Sequence, residues 1–174
     1  MLGNYESYLR TKCKVVSIAG TFVYPIFRVG YTSLIEDADM VFTNYEIDNC
    51  DKIVILLRDP EDRFISGVNE YCRQNKKSID HIYPKVKMGK LVDRHFMPQY
   101  LWLCHLYKYF TGPVVLKPFS YISEITQTHA RANETHKQIE PVDRFTKVDF
   151  HLLRELNKTV LLRDVIRKYR HVLS

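Results

Sequence analysis

The sequence has few glycines, few prolines and no closely spaced cysteines. Six Gly and seven Pro among 174 residues exclude collagen-like and low-complexity classes. The cysteines at positions 13, 50, 72 and 104 form no CxxC pair and no Cys/His spacing typical of metal sites, so we expect reduced thiols and no metal. No apolar stretch approaches the roughly 20 residues of a membrane span, and the N-terminal segment lacks the apolar centre of a signal peptide. We therefore expect a cytoplasmic protein that does not bind membranes.

The sequence does contain enough apolar material for one folded core. Hydrophobic residues make up 45% of the chain and charged residues 26%, and the length predicts a single domain over residues 1–174. The net charge is +6, and most of that excess follows residue 90. Such an excess fits an anionic partner, but it fits equally well a solvated basic surface that has no ligand.

Short apolar, β-branched runs alternate with longer stretches of helical periodicity, which is typical of an α/β protein. The predicted strands are Val15–Ile18, Phe22–Phe27, Met40–Thr43, Ile53–Leu57 and Pro113–Lys117. The predicted helices are Thr32–Ala38, Pro60–Gln74, Pro98–Phe110 and two within Phe150–Val172. The polar, basic segments 75–92 and 127–146 show no clear period and are predicted to be loops, where binding groups concentrate.

The first candidate anion site follows the predicted strand Phe22–Phe27. Arg28 precedes Gly30, and Thr32 and Ser33 then open the next helix. Glycine lets a ligand approach the backbone, hydroxyls and the first N–H groups of a helix are donors, and an arginine adds positive charge. The pattern lacks the GxxxxGK[ST] spacing of a nucleoside-triphosphate loop, and strand–turn–helix units with a glycine are common. A purely structural turn is therefore the alternative interpretation.

A second candidate lies where the most apolar strand, Ile53–Leu57, ends. Asp59 is placed to cap a helix that begins at Pro60, at the edge where open α/β sheets bind ligands. Arg58 lies at that edge, and Ser66 lies two turns along the same helix. An arginine and a serine that converge from these positions would bind a phosphate monoester.

The segment Arg58–Gly67, which reads RDPxxRxxS after a strand, resembles the 3′-phosphate-binding motif of sulfotransferases that use 3′-phosphoadenosine 5′-phosphosulfate. Arg28–Leu34 resembles their 5′-phosphosulfate loop, typically PKxGxTS, and both segments occur in the family's order. Asp93–Gln99, with Cys104 downstream, is similar to the HWxPQ…C stretch of the carbohydrate sulfotransferases that act on chondroitin, dermatan and related glycans. The resemblance spans Phe22–Phe119.

This resemblance implies a P-loop-like, three-layer α/β fold with a central, mainly parallel sheet flanked by helices. It implies transfer of a sulfuryl group from 3′-phosphoadenosine 5′-phosphosulfate, without a metal, to a hydroxyl of a carbohydrate or other small polar acceptor. The residues that it assigns to nucleotide binding are Arg28, Val29, Gly30, Tyr31, Thr32, Ser33, Arg58 and Ser66. A polar, basic loop at 131–137 lies where the family closes over the nucleotide.

The catalytic residues implied by the resemblance depart from the family pattern at two positions. Arg28 stands where the family has a lysine that supports the bridging oxygen, and arginine keeps the charge but is a poorer proton donor. Asn44 stands where many members have a histidine as general base, and asparagine cannot take that role. His95, in the HxxP segment, is therefore the predicted base, with Glu46 as the alternative.

Two other functions stay open at this point. The changes at Arg28 and Asn44 fit a nucleotide-binding module of the same fold that has lost transfer activity. The basic stretch Arg163–Arg170 fits a nucleic-acid-binding helix, but its apolar residues recur at helical spacing, which is typical of a surface helix packed on a core. We therefore expect no nucleic-acid partner.

Overall fold

The computed structural model describes residues 5–9, 12–127 and 135–173. Six strands form one sheet: β1 (Lys14–Ile18), β2 (Thr21–Tyr24), β3 (Met40–Thr43), β4 (Ile53–Leu57), β5 (Pro113–Pro118) and β6 (Thr159–Leu161). Across the sheet the strands lie in the order β3–β1–β2–β4–β5–β6. The sheet is accompanied by helices along the chain, so the predicted α/β class is confirmed.

The described residues contain eight α-helices, which are α1 (Glu6–Leu9), α2 (Tyr31–Glu36), α3 (Pro60–Asn75), α4 (Ile79–Lys87), α5 (Gln99–Tyr107), α6 (Ile122–Ile125), α7 (Asp143–Leu152) and α8 (Leu162–Tyr169). Four short 3₁₀ helices lie at Asn44–Asn49, Phe119–Tyr121, Leu153–Glu155 and Arg170–Leu173. None of the helices in this part of the chain is both long enough and apolar enough to cross a membrane.

The sheet is mixed rather than mainly parallel, which corrects the expectation from the sequence. β2, β4 and β5 run parallel to one another, but β1 is antiparallel to both β2 and β3, and β6 is antiparallel to β5. The connection between β1 and β2 is two residues long, and Ala19 and Gly20 have φ angles of 47° and 80°. Two consecutive residues with positive φ make a tight hairpin turn, and such a turn joins antiparallel strands.

The core of the molecule surrounds β4, whose five residues are all buried. Because successive side chains of a strand point to opposite faces, both faces of the sheet are covered at this strand. The main hydrophobic cluster joins the strands to α5, α7 and α8. A second cluster, which includes Phe64, Val68, Val86, Phe96 and Phe145, joins α3, α4 and α7. The long helix α3 therefore has an apolar side that packs on other helices.

The strand boundaries follow the sequence closely. The predicted bounds of β3 and β4 coincide with the observed ones. β2 ends at Tyr24, earlier than predicted, because Pro25 has no N–H to donate to a neighbouring strand. The edge strand β6 was not predicted, since three residues with alternating exposure give little periodic signal.

Two helices occupy segments that the sequence predicts to be loops. α4 lies wholly within 75–92, and α7 begins within 127–146. In α4 the residues Ile79, Ile82 and Val86 are buried at helical spacing, but Pro84 inside the helix and the charged residues around it obscure that period. The prediction of a long loop is therefore wrong for 75–92. Within 127–146 the described residues 135–142 form neither helix nor strand, as predicted, and the segment differs from the prediction only where α7 begins at Asp143.

Candidate functional site

The turn between β2 and α2 positions Arg28. Pro25 follows the end of β2, and the Val29 N–H donates to the Ile26 carbonyl at 3.0 Å. Arg28 has a φ of 65°, and Gly30, the residue before α2, has a φ of 70°. A left-handed conformation costs a residue other than glycine roughly 1–2 kcal/mol, so contacts from the rest of the structure hold the Arg28 backbone.

The start of α3 positions Arg58. The Asp59 carboxylate accepts hydrogen bonds from the N–H groups of Glu61 at 3.0 Å and Asp62 at 2.9 Å. Pro60 takes the first helical position, where a missing N–H loses no hydrogen bond. This is the cap that the sequence predicts, and it fixes Arg58 between the carboxyl end of β4 and the helix.

Arg28 contacts both Ser66 and Arg58. The Arg28 Nε donates to the Ser66 Oγ at 2.8 Å, and the Arg58 Nη1 donates to the Arg28 carbonyl at 3.2 Å. Ser66 is fully buried, whereas the two arginines are half-buried. The structure thus joins the first predicted anion site to the second, and we call these three residues the arginine–serine cluster.

Glu70 gives Arg28 a negatively charged neighbour one turn beyond Ser66. Its carboxylate lies 3.6 Å from the Arg28 Nη1 and accepts hydrogen bonds from Arg73 Nε at 2.9 Å and Gln74 Nε2 at 2.7 Å. Burial raises the pKa of Glu70, but the hydrogen bonds from Arg73 and Gln74 and the charge of Arg28 lower that pKa by more. Glu70 is therefore ionised at neutral pH and offsets part of the positive charge of the cluster.

Arg63 is a third arginine near the turn, and its side chain is buried. Its Nε donates to the Phe27 carbonyl at 3.1 Å, and its Nη1 donates to the Met97 carbonyl at 2.5 Å. Burial, opposed by the negative charge of Asp149, lowers the pKa of Arg63 to about 10. Arg63 remains a cation at neutral pH, and it ties the turn after β2 to the segment before α5.

Gln99, in the first turn of α5, holds the backbone of Arg58. Its Oε1 accepts from the Arg58 N–H at 2.9 Å, and its Nε2 donates to the Arg58 carbonyl at 3.0 Å. The buried Asp149 carboxylate accepts in turn from the backbone N–H groups of Gln99 at 2.7 Å and Tyr100 at 2.9 Å. Burial raises the pKa of Asp149 to about 6, against the lowering effect of Arg63 and of these hydrogen bonds.

His95, the predicted base, lies next to the cluster. Its ring packs against the ring of Phe27, with 5.3 Å between centroids. Its Nδ1 lies 2.5 Å from the Asp93 Oδ1, and the same oxygen accepts the His95 backbone N–H at 3.0 Å. A Cβ on Gly67 would lie 2.1 Å from the His95 carbonyl oxygen. His95 is therefore packed between the turn after β2 and helix α3.

An open cleft of about 500 Å³ borders His95. Its walls come from α1, the end of α3 and the segment before α5, and they include Tyr8, Tyr71, Gln74, Asn75, Asp93 and His95. Most of these side chains can donate or accept hydrogen bonds. The cleft can therefore hold a small polar molecule beside the imidazole.

The alternative base, Glu46, lies away from the cluster. Its carboxylate accepts hydrogen bonds from the Thr43 N–H at 2.8 Å and the Thr43 hydroxyl at 3.0 Å, which cap the 3₁₀ helix after β3. The backbone hydrogen bond and then the hydroxyl hydrogen bond lower the pKa of Glu46. β1 separates β3 from β2, so Glu46 and Asn44 lie two strands from the turn that carries Arg28. An exposed carboxylate with a lowered pKa at that distance is a poor base for the cluster.

The side chains of the first predicted site differ in exposure. Val29 and Ser33 are buried in the core, whereas Thr32 is exposed and Tyr31 is half-buried. The Thr32 hydroxyl is therefore open to a ligand. Ser33 and Val29 can contribute to a site only through their backbone.

The space beside Gly30 is filled by the chain itself. The sequence suggests that a glycine here lets a ligand approach the backbone. In the structure, a Cβ on Gly30 would lie 2.1 Å from the Ile122 Cδ1 and 3.2 Å from the Phe119 ring. The close approach is thus made by the chain's own segment after β5, and the same Phe119 ring lies 5.7 Å from the Arg58 guanidinium.

The predicted loop at 131–137 is described only from residue 135 onward, and residues 131–134 lie outside the described part of the chain. The Lys137 N–H donates to the Asn69 Oδ1 at 3.0 Å, and the Asn69 Nδ2 donates to the Lys137 carbonyl at 3.1 Å. The Lys137 Nζ lies 2.6 Å from an Asp80 carboxylate oxygen. The end of this segment is therefore attached to α3 and α4.

Several residues of the site were missed in the sequence. Gln99 belongs to the segment that resembles the HWxPQ stretch, so the motif itself could have indicated it. The D-x-H spacing of Asp93 and His95 is a weaker signal. The sequence contains no signal for Glu70 or Asp149, because an acidic residue in an amphipathic helix usually faces solvent.

No family model, no curated protein and no solved structure matches this chain at a significant level. Within residues 5–9, 12–127 and 135–173, no three His, Cys, Asp or Glu side chains gather as metal ligands would. The chemistry of the protein is therefore inferred from its own side chains.

Proposed function

We propose that this protein is a sulfotransferase that moves a sulfuryl group from 3′-phosphoadenosine 5′-phosphosulfate to a hydroxyl of a carbohydrate or another small polar acceptor. The contacts of Arg28 with Ser66 and with Arg58 are the observation that carries the proposal. These residues follow β2 and β4, two adjacent parallel strands, at the edge where open α/β sheets bind ligands. The resemblance of their two segments to the phosphate-binding motifs of sulfotransferases supports the same function.

The arginine–serine cluster supplies the donors that the two ends of the nucleotide need. Arg58 would bind the 3′-phosphate, and Arg28 with the exposed Thr32 would bind the 5′-phosphosulfate. Ser66 is buried and bonded to Arg28, so its hydroxyl would reach the 3′-phosphate only when Arg28 turns to the 5′-phosphosulfate. A guanidinium group donates two parallel hydrogen bonds to phosphate oxygens, which gives both affinity and orientation. The Gln99 side chain holds the Arg58 backbone on both sides, so this arginine is positioned before a ligand binds.

Transfer needs charge stabilisation on one side of the sulfur and a base on the other. The acceptor oxygen attacks the sulfur while the bond to the bridging phosphate oxygen breaks, and Arg28 would stabilise the charge on the leaving phosphate. The acceptor proton would go to His95, beside the polar cleft. Because arginine is a poorer proton donor than lysine, we expect the change at Arg28 to slow transfer more than it weakens binding.

A nucleotide-binding module without transfer activity is the second candidate function. One observation favours it: Arg28 already donates to Ser66 and faces Glu70 at 3.6 Å. Both contacts compete with a leaving phosphate for the same guanidinium group.

The test is release of 3′-phosphoadenosine 5′-phosphate from the sulfate-labelled donor, measured against a panel of hydroxylated acceptors. The proposal predicts labelled product with the wild-type protein and at least a 10-fold lower rate with His95→Ala. Nucleotide binding without any labelled product, in both the wild type and Arg28→Lys, would support the second candidate instead.

A further inference from the structure

We propose that Asp93 is a positioning residue, which fixes the His95 imidazole so that Nε2 is the atom that accepts the proton of the acceptor hydroxyl. The inference rests on the proposed sulfuryl transfer. It assigns a role to a residue that the motifs do not single out, and it comes from the geometry of the Asp93–His95 pair.

When the His95 ring is neutral, its hydrogen bond to Asp93 determines which ring nitrogen carries the proton. The Asp93 Oδ1 lies 2.5 Å from the His95 Nδ1 and accepts the His95 backbone N–H at 3.0 Å. An ionised carboxylate only accepts hydrogen bonds, so Nδ1 carries the proton of the neutral ring and Nε2 keeps its lone pair. A histidine held in this way is ready to act as a base at Nε2 alone.

Packing keeps the ring in that orientation. The His95 side chain is 8% exposed and lies against the Phe27 ring. A flipped imidazole would bring the ring carbon Cδ2 to Asp93 in place of Nδ1 and lose the hydrogen bond. Among the described residues, none hydrogen-bonds to the His95 Nε2, so this atom is available to a molecule in the adjoining cleft.

Asp93 carries the negative charge that this role requires. Burial raises the pKa of Asp93, but the hydrogen bonds from the side chain and backbone of His95 lower that pKa by more. Asp93 is therefore ionised at neutral pH. Its charge favours the imidazolium that forms when His95 takes up a proton.

The transfer step moves one proton and one sulfuryl group. The acceptor hydroxyl gives its proton to the His95 Nε2, and its oxygen forms a bond to the sulfur of the donor. The bond between sulfur and the bridging oxygen breaks, and its electron pair leaves with 3′-phosphoadenosine 5′-phosphate. The imidazolium, paired with the Asp93 carboxylate, then loses the proton to water.

A structural role for Asp93 is the competing interpretation, because its hydrogen bond to the His95 N–H also caps a turn. Asp93→Asn separates the two roles, since the amide oxygen can still accept that N–H but carries no charge. Asp93→Ala removes both hydrogen bonds. Asp164→Asn, which removes an exposed carboxylate on α8, is the matched control.

The experiment measures three quantities for each variant: affinity for 3′-phosphoadenosine 5′-phosphate, kcat and KM of transfer, and the imidazole tautomer by ¹⁵N NMR. We expect Asp93→Asn to lower kcat at least 10-fold, with nucleotide affinity and acceptor KM within about 2-fold of wild type. We expect the wild-type spectrum to show a protonated Nδ1 and a bare Nε2, and Asp93→Ala to show a mixture of tautomers. The control should match wild type.

The outcomes separate the inference from the proposed function. If the wild type binds the nucleotide and transfers sulfate, but Asp93→Asn leaves kcat unchanged or Asp93→Ala keeps the wild-type tautomer, Asp93 is not a positioning residue. If the wild type binds no nucleotide, the proposed function fails and the inference fails with it. Lower nucleotide affinity in Asp93→Asn would assign its effect to the fold of the site and would also overturn the inference.

Discussion

At the scale of single residues, three arginines near one turn have different tasks. Arg28 and Arg58 are half-buried and in contact with each other, which suits them to an anion. Arg63 is buried and donates to backbone carbonyls, which suits it to holding the turn. Sequence alone cannot separate these tasks, because each of the three lies in one of the two segments that resemble phosphate-binding motifs.

We predict that Ser66→Ala weakens binding of 3′-phosphoadenosine 5′-phosphate about 10-fold, since a hydrogen bond to a charged partner contributes about 1.5–3 kcal/mol. The lost hydroxyl is the acceptor for Arg28 and, by the proposal, a donor to the 3′-phosphate. Calorimetry would measure the change. Ser123→Ala, an exposed serine on α6, is the control and should bind like wild type. Equal affinities of the two variants would remove Ser66 from the site.

We predict that Arg63→Met lowers the free energy of unfolding by about 3 kcal/mol or more, because it leaves buried carbonyls without donors. The carbonyls of Phe27 and Met97 are the acceptors that it would lose. Denaturant unfolding would measure the loss, with Arg167→Met on the exposed side of α8 as the control. A loss under about 1 kcal/mol would mean that the turn after β2 is held by other contacts.

At the scale of elements, α3 links the site to the rest of the fold. One of its sides contributes Ser66 and Glu70 to the site, while Phe64 and Val68 pack in the second hydrophobic cluster. Gly67 lies between these groups and lets the helix approach the segment that carries His95.

We predict that Gly67→Ala destabilises the protein, although alanine is the better helix former. The added Cβ would lie 2.1 Å from the His95 carbonyl oxygen and 2.9 Å from the Phe96 Cα, and backbone atoms cannot move away cheaply. Overpacking of this kind costs about 1–3 kcal/mol. Thermal unfolding would measure it, and Asp62→Ala in the exposed first turn of α3 is the control. A Gly67→Ala protein as stable as wild type would show that α3 and the His95 segment separate easily.

The contact between the 3₁₀ helix 153–155 and α8 makes the stability of the protein depend on pH. Glu155 is buried, and hydrogen bonds from Lys168 and Tyr169 lower its pKa to about 2 from an ordinary value of 4.5. A lowered pKa stabilises the fold above pH 4.5, and this contribution is lost as the pH falls through about 2. We predict that Glu155→Gln lowers stability by about 1–3 kcal/mol at pH 7, and that the difference shrinks steadily below pH 4.5. A difference that does not change between pH 7 and pH 2 would contradict this assignment.

At the scale of the whole molecule, the sequence predicts what depends on local patterns. The strands β3 and β4 and the cap of α3 are found where expected, because each combines an unbroken apolar run with a clear boundary residue. The antiparallel β1–β2 pair was not predicted, since its turn, Ala19–Gly20, is not one of the common hairpin pairs.

The candidate site was predictable only in part, because local patterns indicate some of its residues and tertiary contacts bring in the others. Arg28 is predicted from the strand–glycine–helix turn in which it lies, and Arg58 from its place at the carboxyl edge of β4, where open α/β sheets bind ligands. Gln99, which holds Arg58, lies 41 residues further along the chain, and Asp149, which holds Gln99, lies another 50 residues on, so both pairings depend on tertiary contacts. Those contacts leave no periodic pattern in the sequence.

The central claim is that the arginine–serine cluster binds a nucleotide with a 3′-phosphate. The most direct measurement is calorimetric binding of 3′-phosphoadenosine 5′-phosphate and of adenosine 5′-phosphate to wild type, Arg58→Ala and the control Arg167→Ala. We expect micromolar binding of 3′-phosphoadenosine 5′-phosphate to wild type and to the control, and at least 10-fold weaker binding to Arg58→Ala. We expect much weaker binding of adenosine 5′-phosphate to all three proteins. No binding to wild type, or equal affinity for the two nucleotides, would contradict it.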